Sequence, residues 1–367
     1  MKKITIILPD LRGGGAERLH IHLANDWVAR GFSVEIVLMQ KTGELLSLIS
    51  PSIALFELSV DQIRKAIWPL QVHFKHSRPD IILSAMWPLT SATVIAWFLS
   101  GRYGCLFLSD HCLLSVSRTE ELRVSQYYLK SLIQITYPFA TGIIAVSQGV
   151  KNDLCWLGNL SQARVKVIYN PAATGIPTQI ESATLREKLW GNGFAKHILS
   201  VGALKKIKDH ACLIRAFALL PADIDSKLTI LGDGPLRIDL ETLVNELGLQ
   251  ARVFMPGFVT NPYPWFQTAD LFVLSSQCEG FGNVIVEALE CGVPVVSTDC
   301  PSGPAEILEN GRYGKLVPIN DPSAMSSAIL ASLTTSHDRQ ALMKRAEDFS
   351  VHNISNQYLE YFHTGSV

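Results

Sequence analysis

The sequence predicts an α/β protein built from two doubly wound, Rossmann-like domains. Short apolar runs of strand type alternate with helical patterns along the chain, as in parallel sheets covered by helices. The length of 367 residues suits about two domains, and 48% hydrophobic with 18% charged residues is typical of globular proteins with large cores. The alternation pauses once, between residues 172 and 183, where apolar periodicity is poor and Gly175 and Pro177 occur. We therefore predict domains over 1–172 and 173–350.

The first half begins with a buried strand at 4–8, a glycine-rich turn at 11–15 and a helix from Ala16 to Arg30. Further strands are predicted at 34–38, 80–85, 105–109, 142–146 and 165–171. Three glycines between a strand and a helix favour close approach of the backbone to a ligand. A nicotinamide dinucleotide is excluded, because Arg18 replaces the last glycine of G-x-G-x-x-G and no acidic residue ends the second strand.

Two polar residues of this half lie near the carboxyl ends of predicted strands, where open α/β sheets bind ligands. Glu17 begins the first helix and either lines a cleft or interacts only with the helix dipole. His111 follows Asp110 directly after a strand. It is either a site residue or a histidine hydrogen-bonded to the local backbone.

Two segments of the first half carry cations beside bulky apolar residues. Residues 64–76 have the mixture of segments that lie on membrane surfaces, although Pro69 is expected to interrupt any helix there. Arg118, Arg123 and Lys130 recur on a later segment. The alternative for both is a solvated helix face with an apolar core side.

The second half repeats the pattern, with strands at 197–201, 228–231, 252–255, 271–274, 295–297 and 316–317. The first four strands end in loops that carry glycine or charge. Because the carboxyl ends of parallel strands share one edge, these loops predict a polar, glycine-lined wall. In it Gly232 and Gly234 would let a ligand approach the backbone, and Pro235 would begin a helix.

The loop after the strand at 271–274 is the strongest candidate site. It opens a helix near Gly282, and the free N–H groups at Asn283 and Val284, with the helix dipole, favour a phosphate. Glu279 and Glu287 bracket this anion site and offer acceptors to sugar hydroxyls, or they form the solvated face of an ordinary βα unit.

A charged run in the loop after the strand at 197–201 supplies ammonium groups to the same edge. Lys205, Lys206 and Lys208 would stabilise a departing diphosphate without a metal. The pair Asp223 and Asp225 could hold a divalent ion, but it precedes a strand and so lies at the opposite edge. We therefore expect no metal site.

Composition limits the class of protein further. A net charge of −1 argues against nucleic acid as a partner. The seven cysteines are scattered and form no C-x-x-C pair, which predicts free thiols in a reducing compartment, hence a cytoplasmic protein. The apolar run after Met1 is too short for a signal peptide, and no apolar stretch is long enough to span a membrane.

Six motifs, taken in order, resemble those of retaining glycosyltransferases of family four, which have the GT-B fold. They are Gly13-Gly14-Gly15-Ala16-Glu17, Ser109-Asp110-His111, Gly232-Asp233-Gly234-Pro235, Glu279-Gly280-Phe281-Gly282 with Glu287, Gly292-Val293-Pro294-Val295 and Gly314-Lys315-Leu316-Val317-Pro318. The resemblance covers essentially the whole chain. It implies an acceptor-side domain over 1–172 and a nucleotide-sugar domain over 173–350, facing across a cleft. It also implies a C-terminal helix, about 351–367, that packs back on the first domain.

The resemblance assigns roles to individual residues. His111, Glu279 and Lys208 would be catalytic, with His111 and Glu279 holding the transferred sugar. Glu287 would bind the ribose, and Phe258 and Val259 the base. The remaining donor residues would be Gly14, Gly15, Lys205, Lys206, Gly232, Gly234, Phe281, Gly282, Asn283 and Val284, and the acceptor residues Glu17, Arg118 and Arg123. One departure is Ala203, which stands where the family's diphosphate clamp has arginine; Lys208 matches the clamp's lysine, and Lys205 or Lys206 would replace the arginine.

The activity implied is metal-independent, retaining transfer of a hexose or N-acetylhexosamine from a nucleotide sugar, with UDP as the expected nucleotide, to a glycan hydroxyl. Residues 300–306 resemble those of bacterial enzymes that extend polyprenyl-diphosphate-linked or lipopolysaccharide glycans. The implied partners are the donor, a lipid-linked or polysaccharide acceptor and an anionic membrane surface that the enzyme binds peripherally from the cytoplasm. No cofactor is implied. A nucleotide-sugar 2-epimerase on the same scaffold and a non-catalytic nucleotide-sugar binding protein are the alternatives.

Overall fold

The computed structural model describes residues 2–12, 14–120, 124–175, 183–191, 193–221 and 223–365. The chain divides into two compact units. Unit 1 is Met1–Thr174 with Ser350–Val367, and unit 2 is Gly175–Phe349. The division lies close to the boundary predicted between residues 172 and 173.

The described part of unit 1 contains a parallel sheet of seven strands in the order β3-β2-β1-β4-β5-β6-β7. The strands are β1 Lys3–Leu8, β2 Ser33–Leu38, β3 Ala54–Glu57, β4 Ile81–Ala85, β5 Cys105–Asp110, β6 Gly142–Ala145 and β7 Val165–Val167. The helices are α1 Gly15–Ala29, α2 Ile63–Ser77, α3 Leu89–Ser100, α4 Leu114–Glu120, α5 Gln126–Thr136 and α6 Gln148–Gly158. Central strands such as β4 are buried on both faces, which explains why they read as continuous apolar runs.

Unit 2 contains, within its described residues, a second parallel sheet of six strands in the order β10-β9-β8-β11-β12-β13. The strands are β8 Lys196–Val201, β9 Ser226–Leu231, β10 Val253–Gly257, β11 Leu271–Leu274, β12 Val295–Thr298 and β13 Lys315–Val317. The helices are α7 Ala183–Trp190, α8 His210–Ala218, α9 Arg237–Glu246, α10 Tyr263–Thr268, α11 Asn283–Glu290, α12 Pro304–Ile307, α13 Pro322–Thr334 and α14 Arg339–Glu347.

The chain returns to unit 1 in a last helix, α15 Val351–Thr364, which packs against α1. Its buried ring of Phe362 lies 5.6 Å from that of Trp27 in α1 and 4.7 Å from that of Phe107 in β5, measured between centroids. These contacts place α15 on the core of unit 1.

The helices of unit 1 form two layers. Connections between parallel strands are right-handed crossovers. A helix that connects a step in one direction along the sheet therefore lies on one face, and a helix that connects a step in the other direction lies on the opposite face. The step from β1 to β2 therefore puts α1, with α15, on one face, and the steps from β4 to β7 put α3, α5 and α6 on the other. Helix α2 packs beside α3 in this second layer.

Three details differ from the sequence prediction. Strand β3, which was not predicted, is a short and mostly exposed edge strand, so it lacks an apolar run. Pro69 does not interrupt α2, because Ala66, Leu70 and Phe74 bury one helix face across the proline. Pro235 is not the first residue of α9, which begins at Arg237 after a turn.

Candidate functional site

Loops at the carboxyl edge of the unit 2 sheet are joined through their backbones. Gly202 N donates to Leu231 O at 2.9 Å, and Gly232 N donates to Gly257 O at 2.9 Å. A Cβ at Gly232 would lie 2.0 Å from Gly202 O, and one at Gly234 would lie 2.6 Å from Leu204 O. Both predicted glycines are thus required for the loops after β8 and β9 to pack together, whatever ligand approaches them.

The turn before α11 is set by backbone conformation. Gly282 caps the helix with φ of 101°, in the left-handed region where a side chain is strained. Ile285, Val286 and Leu289 are buried and anchor the helix against the sheet. The first-turn N–H groups of α11 therefore lie at the carboxyl edge after β11, with Glu287 one turn further along and partly buried.

Two of the predicted catalytic residues meet at this turn. Lys208 Nζ donates to Glu279 Oε1 at 2.6 Å, and the Ser276 hydroxyl donates to the same oxygen at 2.6 Å. The Glu279 side chain is only 10% exposed and that of Lys208 24%. The pair places one cation and one sugar-compatible carboxylate beside the N-terminus of α11.

The 279–282 turn is supported by residues to which the sequence analysis assigned no role in the site. Ser302 Oγ donates to Gly280 O at 2.8 Å, and Thr298 Oγ1 donates to Ser276 O at 2.5 Å. A Cβ at Gly303, whose φ is +92°, would lie 1.8 Å from Phe281 O. The sequence identifies the segment at 300–303 only as part of a family motif and carries no sign that it contacts the 279–282 turn.

The other predicted donor-binding side chains of unit 2 are more exposed to solvent. Lys205 and Lys206 are exposed, on and just before a short 3₁₀ turn at Lys206–Lys208. Phe258, after β10, is 61% exposed, and Val259 beside it is partly buried. An exposed aromatic ring at the carboxyl edge of a sheet is suited to stacking on a flat ligand.

His210 is a further residue that the sequence analysis missed. It is buried at the start of α8, and burial, with the nearby Lys208 ammonium, lowers its pKa to about 3. A Cβ at Gly202 would lie 3.7 Å from both the His210 ring and the Lys208 side chain. His210 therefore remains neutral next to the lysine that binds Glu279.

In unit 1 the glycine turn leads into α1, which Gly14 caps. Glu17 lies in the first turn, and its carboxylate covers Gly14, since a Cβ there would be 1.9 Å from Glu17 Oε2. Burial raises the pKa of Glu17, while the helix dipole favours its charged form. Gly15 is exposed as the first residue of the helix.

His111 lies after β5 within a cluster of polar groups. Its Nε2 is 3.0 Å from Ser109 Oγ, and its ring is 5.1 Å from that of His20 in an edge-to-face arrangement. Burial, and to a smaller extent the nearby His20, lower the pKa of His111 well below its usual value, although a hydrogen bond with Asn170 raises it. Burial lowers the pKa of His20 to about 4. Both rings are therefore neutral near pH 7.

Asp110 ends β5 next to this cluster but points into the core. Tyr137 donates to Asp110 Oδ2 at 2.6 Å, and Thr90 Oγ1 lies 2.9 Å from the Tyr137 hydroxyl. Burial raises the pKa of Asp110 to about 6. This network fixes the end of β5 from which His111 projects.

Some predicted residues cannot be placed. Gly13 and Arg123 lie outside the described residues, and Arg118 lies in α4 with its side chain outside them.

Asp225 comes just before β9, where its carboxylate accepts from Ala195 N at 3.0 Å. Within the described ranges, no three or more histidine, cysteine or acidic residues are grouped as metal ligands.

All seven cysteines are free thiols. In the part of the chain that the structure covers, none of the helices combines the length and the apolar character needed to cross a bilayer.

Two family models match the chain in succession. Residues 13–175 match the model described as Glycosyltransferase Family 4, and residues 182–349 match the model described as Glycosyl transferases group 1. Together they cover both units except for residues 1–12, which include β1, residues 176–181, and residues 350–367, which include α15.

The chain is also similar to proteins of known name. It is 35% identical over 238 residues, 63% of its length and 62% of the relative's, to an N-acetylgalactosamine-N,N'-diacetylbacillosaminyl-diphospho-undecaprenol 4-alpha-N-acetylgalactosaminyltransferase of Campylobacter jejuni. It is 28% identical to the lipopolysaccharide core biosynthesis glycosyltransferase LpsE of Rhizobium meliloti, covering 95% of this chain and 96% of LpsE. The crystal structure of Anabaena HepE in complex with UDP has the same fold, with a TM-score of 0.79, 24% identity and coverage of 99% and 100% of the two chains.

Proposed function

The chain belongs to the glycosyltransferases that join a family 4 domain to a group 1 domain, and on this premise we propose the reaction that it catalyses. It transfers a hexose or N-acetylhexosamine from a nucleotide sugar, UDP being the expected nucleotide, to a hydroxyl of a glycan acceptor. The anomeric configuration is retained. The acceptor is lipid-linked or part of a lipopolysaccharide or exopolysaccharide.

The observation that carries this proposal is the Lys208–Glu279 pair at the N-terminus of α11. A helix N-terminus and an ammonium group together stabilise the negative charge of a diphosphate, which is the leaving group of a nucleotide sugar. The carboxylate beside them accepts a hydrogen bond from a sugar hydroxyl. We assign the ribose to Glu287, one turn along the same helix, and the base to Phe258, whose exposed ring is suited to stacking.

In the proposed reaction, the acceptor oxygen bonds to the anomeric carbon on the face from which the diphosphate leaves. The bond from that carbon to the diphosphate oxygen breaks, and the acceptor proton passes to the departing oxygens. Electrostatic stabilisation by Lys208, Lys205 or Lys206 and the α11 N-terminus supplies the main rate enhancement. His111 braces the sugar as a neutral donor or acceptor, consistent with its lowered pKa.

The names of the relatives support the acceptor class. The Campylobacter jejuni relative is named for a diphospho-undecaprenol acceptor and an α linkage, and LpsE for lipopolysaccharide core. An α linkage results when an α-linked donor reacts with retention. We infer that the present chain also extends a membrane-held glycan, from the cytoplasmic face of the inner membrane, where its free thiols would remain reduced.

The proposal is tested first by donor binding. The nucleotide sugar that is the donor should raise the melting temperature, because a ligand of the native state stabilises it by mass action. That donor is then incubated with a lipid-linked glycan, with and without a chelator. We expect a glycosylated product in both samples. Loss of product with chelator, restored by magnesium or manganese, would contradict metal-independent transfer.

The same assay without acceptor separates the rival activities. Formation of an epimer of the donor sugar would indicate the 2-epimerase, and binding without turnover on any acceptor would indicate a binding protein. Retention is checked by the anomeric coupling of the product in NMR.

A further inference from the structure

The turn after β11 is tied to the loop after β8 at more points than the Lys208–Glu279 pair. β8 and β11 are neighbouring strands, so their loops lie side by side at the carboxyl edge of the sheet. Ser275 Oγ donates to Lys208 O at 2.8 Å, and Gln277 N donates to Ile207 O at 2.8 Å. The backbone of the lysine and of the residue before it is therefore held by the turn that carries Glu279.

The Gln277 side chain extends this connection to a third loop. Its Nε2 donates to Asp209 Oδ2 at 3.0 Å and to Asn320 Oδ1 at 2.9 Å. A carboxylate accepts and does not donate, so the amide nitrogen is the atom that faces Asp209, and its two N–H groups serve both acceptors. Asp209 directly follows Lys208, and Asn320 follows β13. A single amide thus links the loops after β8, β11 and β13.

Asp209 is the residue through which this amide reaches the lysine. It adopts φ of 44° and ψ of 46°, a left-handed conformation that is costly for a residue with a side chain. Its Oδ1 accepts from Cys212 N at 3.2 Å and caps α8, while its Oδ2 accepts from Gln277. Such a conformation persists only where contacts hold it. Removing the Gln277 contact therefore loosens the chain reversal next to Lys208.

A lysine that stabilises a leaving group needs this kind of support. Its ammonium is carried by a flexible four-carbon stem, so its position depends on the backbone and on the groups that it contacts. Glu279 fixes the ammonium at 2.6 Å, and Ser275 and Gln277 fix the backbone. Electrostatic stabilisation requires groups that are in place before the reaction, and a misplacement of about 1 Å costs on the order of 100-fold in rate.

We propose that Gln277 is a positioning residue that holds Lys208 beside the N-terminus of α11, where the ammonium meets the diphosphate of the donor. Gln277 acts through Ile207 and Asp209, the residues on either side of the lysine, and does not contact the donor. The inference rests on the proposed function, from which Lys208 takes its role. It adds a residue that lies outside the family motifs and to which the sequence analysis assigned no role.

An exchange of donor and acceptor between Gln277 and Asp209 tests the proposal. Gln277→Glu keeps the shape of the side chain but removes both N–H groups and places two carboxylates face to face. The amide of Asp209→Asn has one oxygen, which cannot both cap α8 and accept from Gln277. In the double variant, the amide at position 209 can cap α8 with its oxygen and donate to the carboxylate at position 277, because asparagine is as good an N-cap as aspartate. The double variant has the net charge of the parent.

The two single variants separate positioning from a simple effect of charge. Gln277→Glu adds a negative charge near the diphosphate site, and Asp209→Asn removes one. If charge alone mattered, the first change would weaken diphosphate binding and the second would strengthen it. If Gln277 positions Lys208, both single variants should weaken it, and the double variant should recover most of the loss. Tighter binding of UDP by Asp209→Asn than by the parent would contradict the proposal.

The binding measurement compares UDP with UMP by calorimetry. The two nucleotides share the base and the ribose and differ by one phosphate, so a disturbance of the base or ribose contacts changes both affinities alike. We expect each single variant to lose about 10-fold in affinity for UDP and to bind UMP nearly as the parent does, because a hydrogen bond to a charged group is weakened. kcat should fall on the order of 10- to 100-fold. A parallel fall in affinity for both nucleotides would indicate a merely structural role.

A background without the lysine tests whether Gln277 acts through Lys208. Gln277→Ala removes the amide without adding charge, and it should lower kcat about 10-fold in the parent protein. In a Lys208→Ala protein, the same change should lower kcat no further. Residues that act independently would instead multiply their effects. A full further loss in the Lys208→Ala background would overturn the proposal.

Hydrogen exchange tests the same contact without any ligand. Backbone amides exchange through local opening, so faster exchange reports a looser segment. Gln277→Glu should raise the exchange rate of peptides that cover residues 203–209 and 275–281, and the double variant should restore it. Circular dichroism of each variant shows whether it has folded. Unchanged exchange in a folded Gln277→Glu protein would contradict the proposal.

The matched control is Gln250→Glu, the same change at an exposed glutamine of unit 2 whose Nε2 donates to Asn245 O at 3.4 Å. It should leave nucleotide affinity, kcat and hydrogen exchange as in the parent. The outcomes separate this inference from the proposed function. A parent protein that binds UDP no more tightly than UMP would contradict the proposed function. A preference of the parent for UDP that Gln277→Glu retains in full would contradict the positioning role alone.

Discussion

Glu279 and Lys208 show what the sequence can and cannot give at the scale of single residues. Both were predicted as site residues, because a carboxylate and an ammonium group at loops after strands suit sugar and diphosphate binding. Their direct contact could not be predicted, since 71 positions separate them and only the parallel order of β8 and β11 brings their loops together. The neutral His210 was missed for another reason: it is two positions from Lys208 in the sequence, but its burial at the start of α8 depends on tertiary packing.

The contact predicts how Glu279→Ala will behave. Replacing Glu279 by alanine removes a sugar-binding oxygen but leaves Lys208 and the N-terminus of α11 to bind the diphosphate. We expect kcat to fall on the order of 100-fold, with the affinity for free nucleotide nearly unchanged. Steady-state kinetics and calorimetry with UDP measure the two quantities. A parallel fall in both would show that the glutamate acts on the nucleotide as well.

Glu287→Ala should have the complementary effect. A charged acceptor of a ribose hydroxyl contributes roughly 1.5–3 kcal/mol, so nucleotide affinity should fall about 10- to 100-fold. The matched control is Glu290→Ala in the next turn of α11. Glu290 accepts from Gly175 N at 2.7 Å and from Tyr263 at 3.3 Å, so its loss should lower stability and not affinity. Unchanged affinity in Glu287→Ala would remove the ribose role.

His111→Ala should lower kcat on the order of 100-fold with the fold intact, if the neutral ring stabilises charge only in the transition state. Because burial holds the pKa of His111 well below 6.5, the kcat profile of the parent should show no ionisation of this group between about pH 6 and 8. His363→Ala, at an exposed histidine of α15, is the control. A rate near that of the parent would make His111 structural.

At the scale of elements, the strand and helix order was predictable where the apolar pattern is long and buried. β1, β4, β8 and β11 lie close to their predicted limits because burial on both faces requires continuous apolar runs. β3 was missed because an edge strand needs no such run. Helix α2 continues through Pro69 because tertiary packing outweighs one lost hydrogen bond. Contacts made between loops by backbone atoms, as at Gly303, leave no periodicity in the sequence.

Gly303 gives a prediction for the element that carries the site. Gly303→Ala would force the Phe281 carbonyl to move, and with it the turn that starts α11. Gly248→Ala is a matched control, since Gly248 also has positive φ, +68°, but a Cβ there meets nothing within 4 Å. Each variant should cost about 1–2 kcal/mol of backbone strain, but only Gly303→Ala should also lower donor affinity. Equal donor affinity in both variants would show that the 300–303 segment does not support the site.

At the scale of the whole molecule, the two doubly wound sheets and the return of α15 to the first of them follow the sequence prediction, and the fold is that of the GT-B structures it resembles. The periodicity is repeated in each unit, so each has its own core and its own ionisable groups. What the sequence could not indicate is how burial divides those groups between the units. His20 and Asp110 are buried and His111 is partly buried in unit 1, and His210 is buried in unit 2.

The buried His210 predicts that acid destabilises unit 2. Burial lowers the pKa of His210 to about 3, so between about pH 6.5 and 3 the unfolded state binds a proton that the native state does not. The stability that His210 contributes is therefore present above about pH 6.5 and is lost as the pH falls, by about 3 kcal/mol at pH 4.5. In unit 1, His20 with its pKa of about 4 and His111 with its lowered pKa act in the same direction, and Asp110 opposes them. Burial raises the pKa of Asp110 to about 6, so on acidification the native state binds this proton at a higher pH than the unfolded state does, which stabilises the native state.

Urea unfolding at about pH 7 and 4.5 tests this, with the buried Trp190 and Trp265 reporting unit 2 and Trp27 and Trp97 reporting unit 1. Variants that keep the tryptophans of one unit separate the signals. We expect the midpoint of the unit 2 transition to fall on acidification. His210→Asn should reduce this loss and leave the unit 1 transition unchanged. An equal loss in the parent and in His210→Asn would show that other groups of unit 2, such as Asp270 with its lowered pKa, account for the acid dependence.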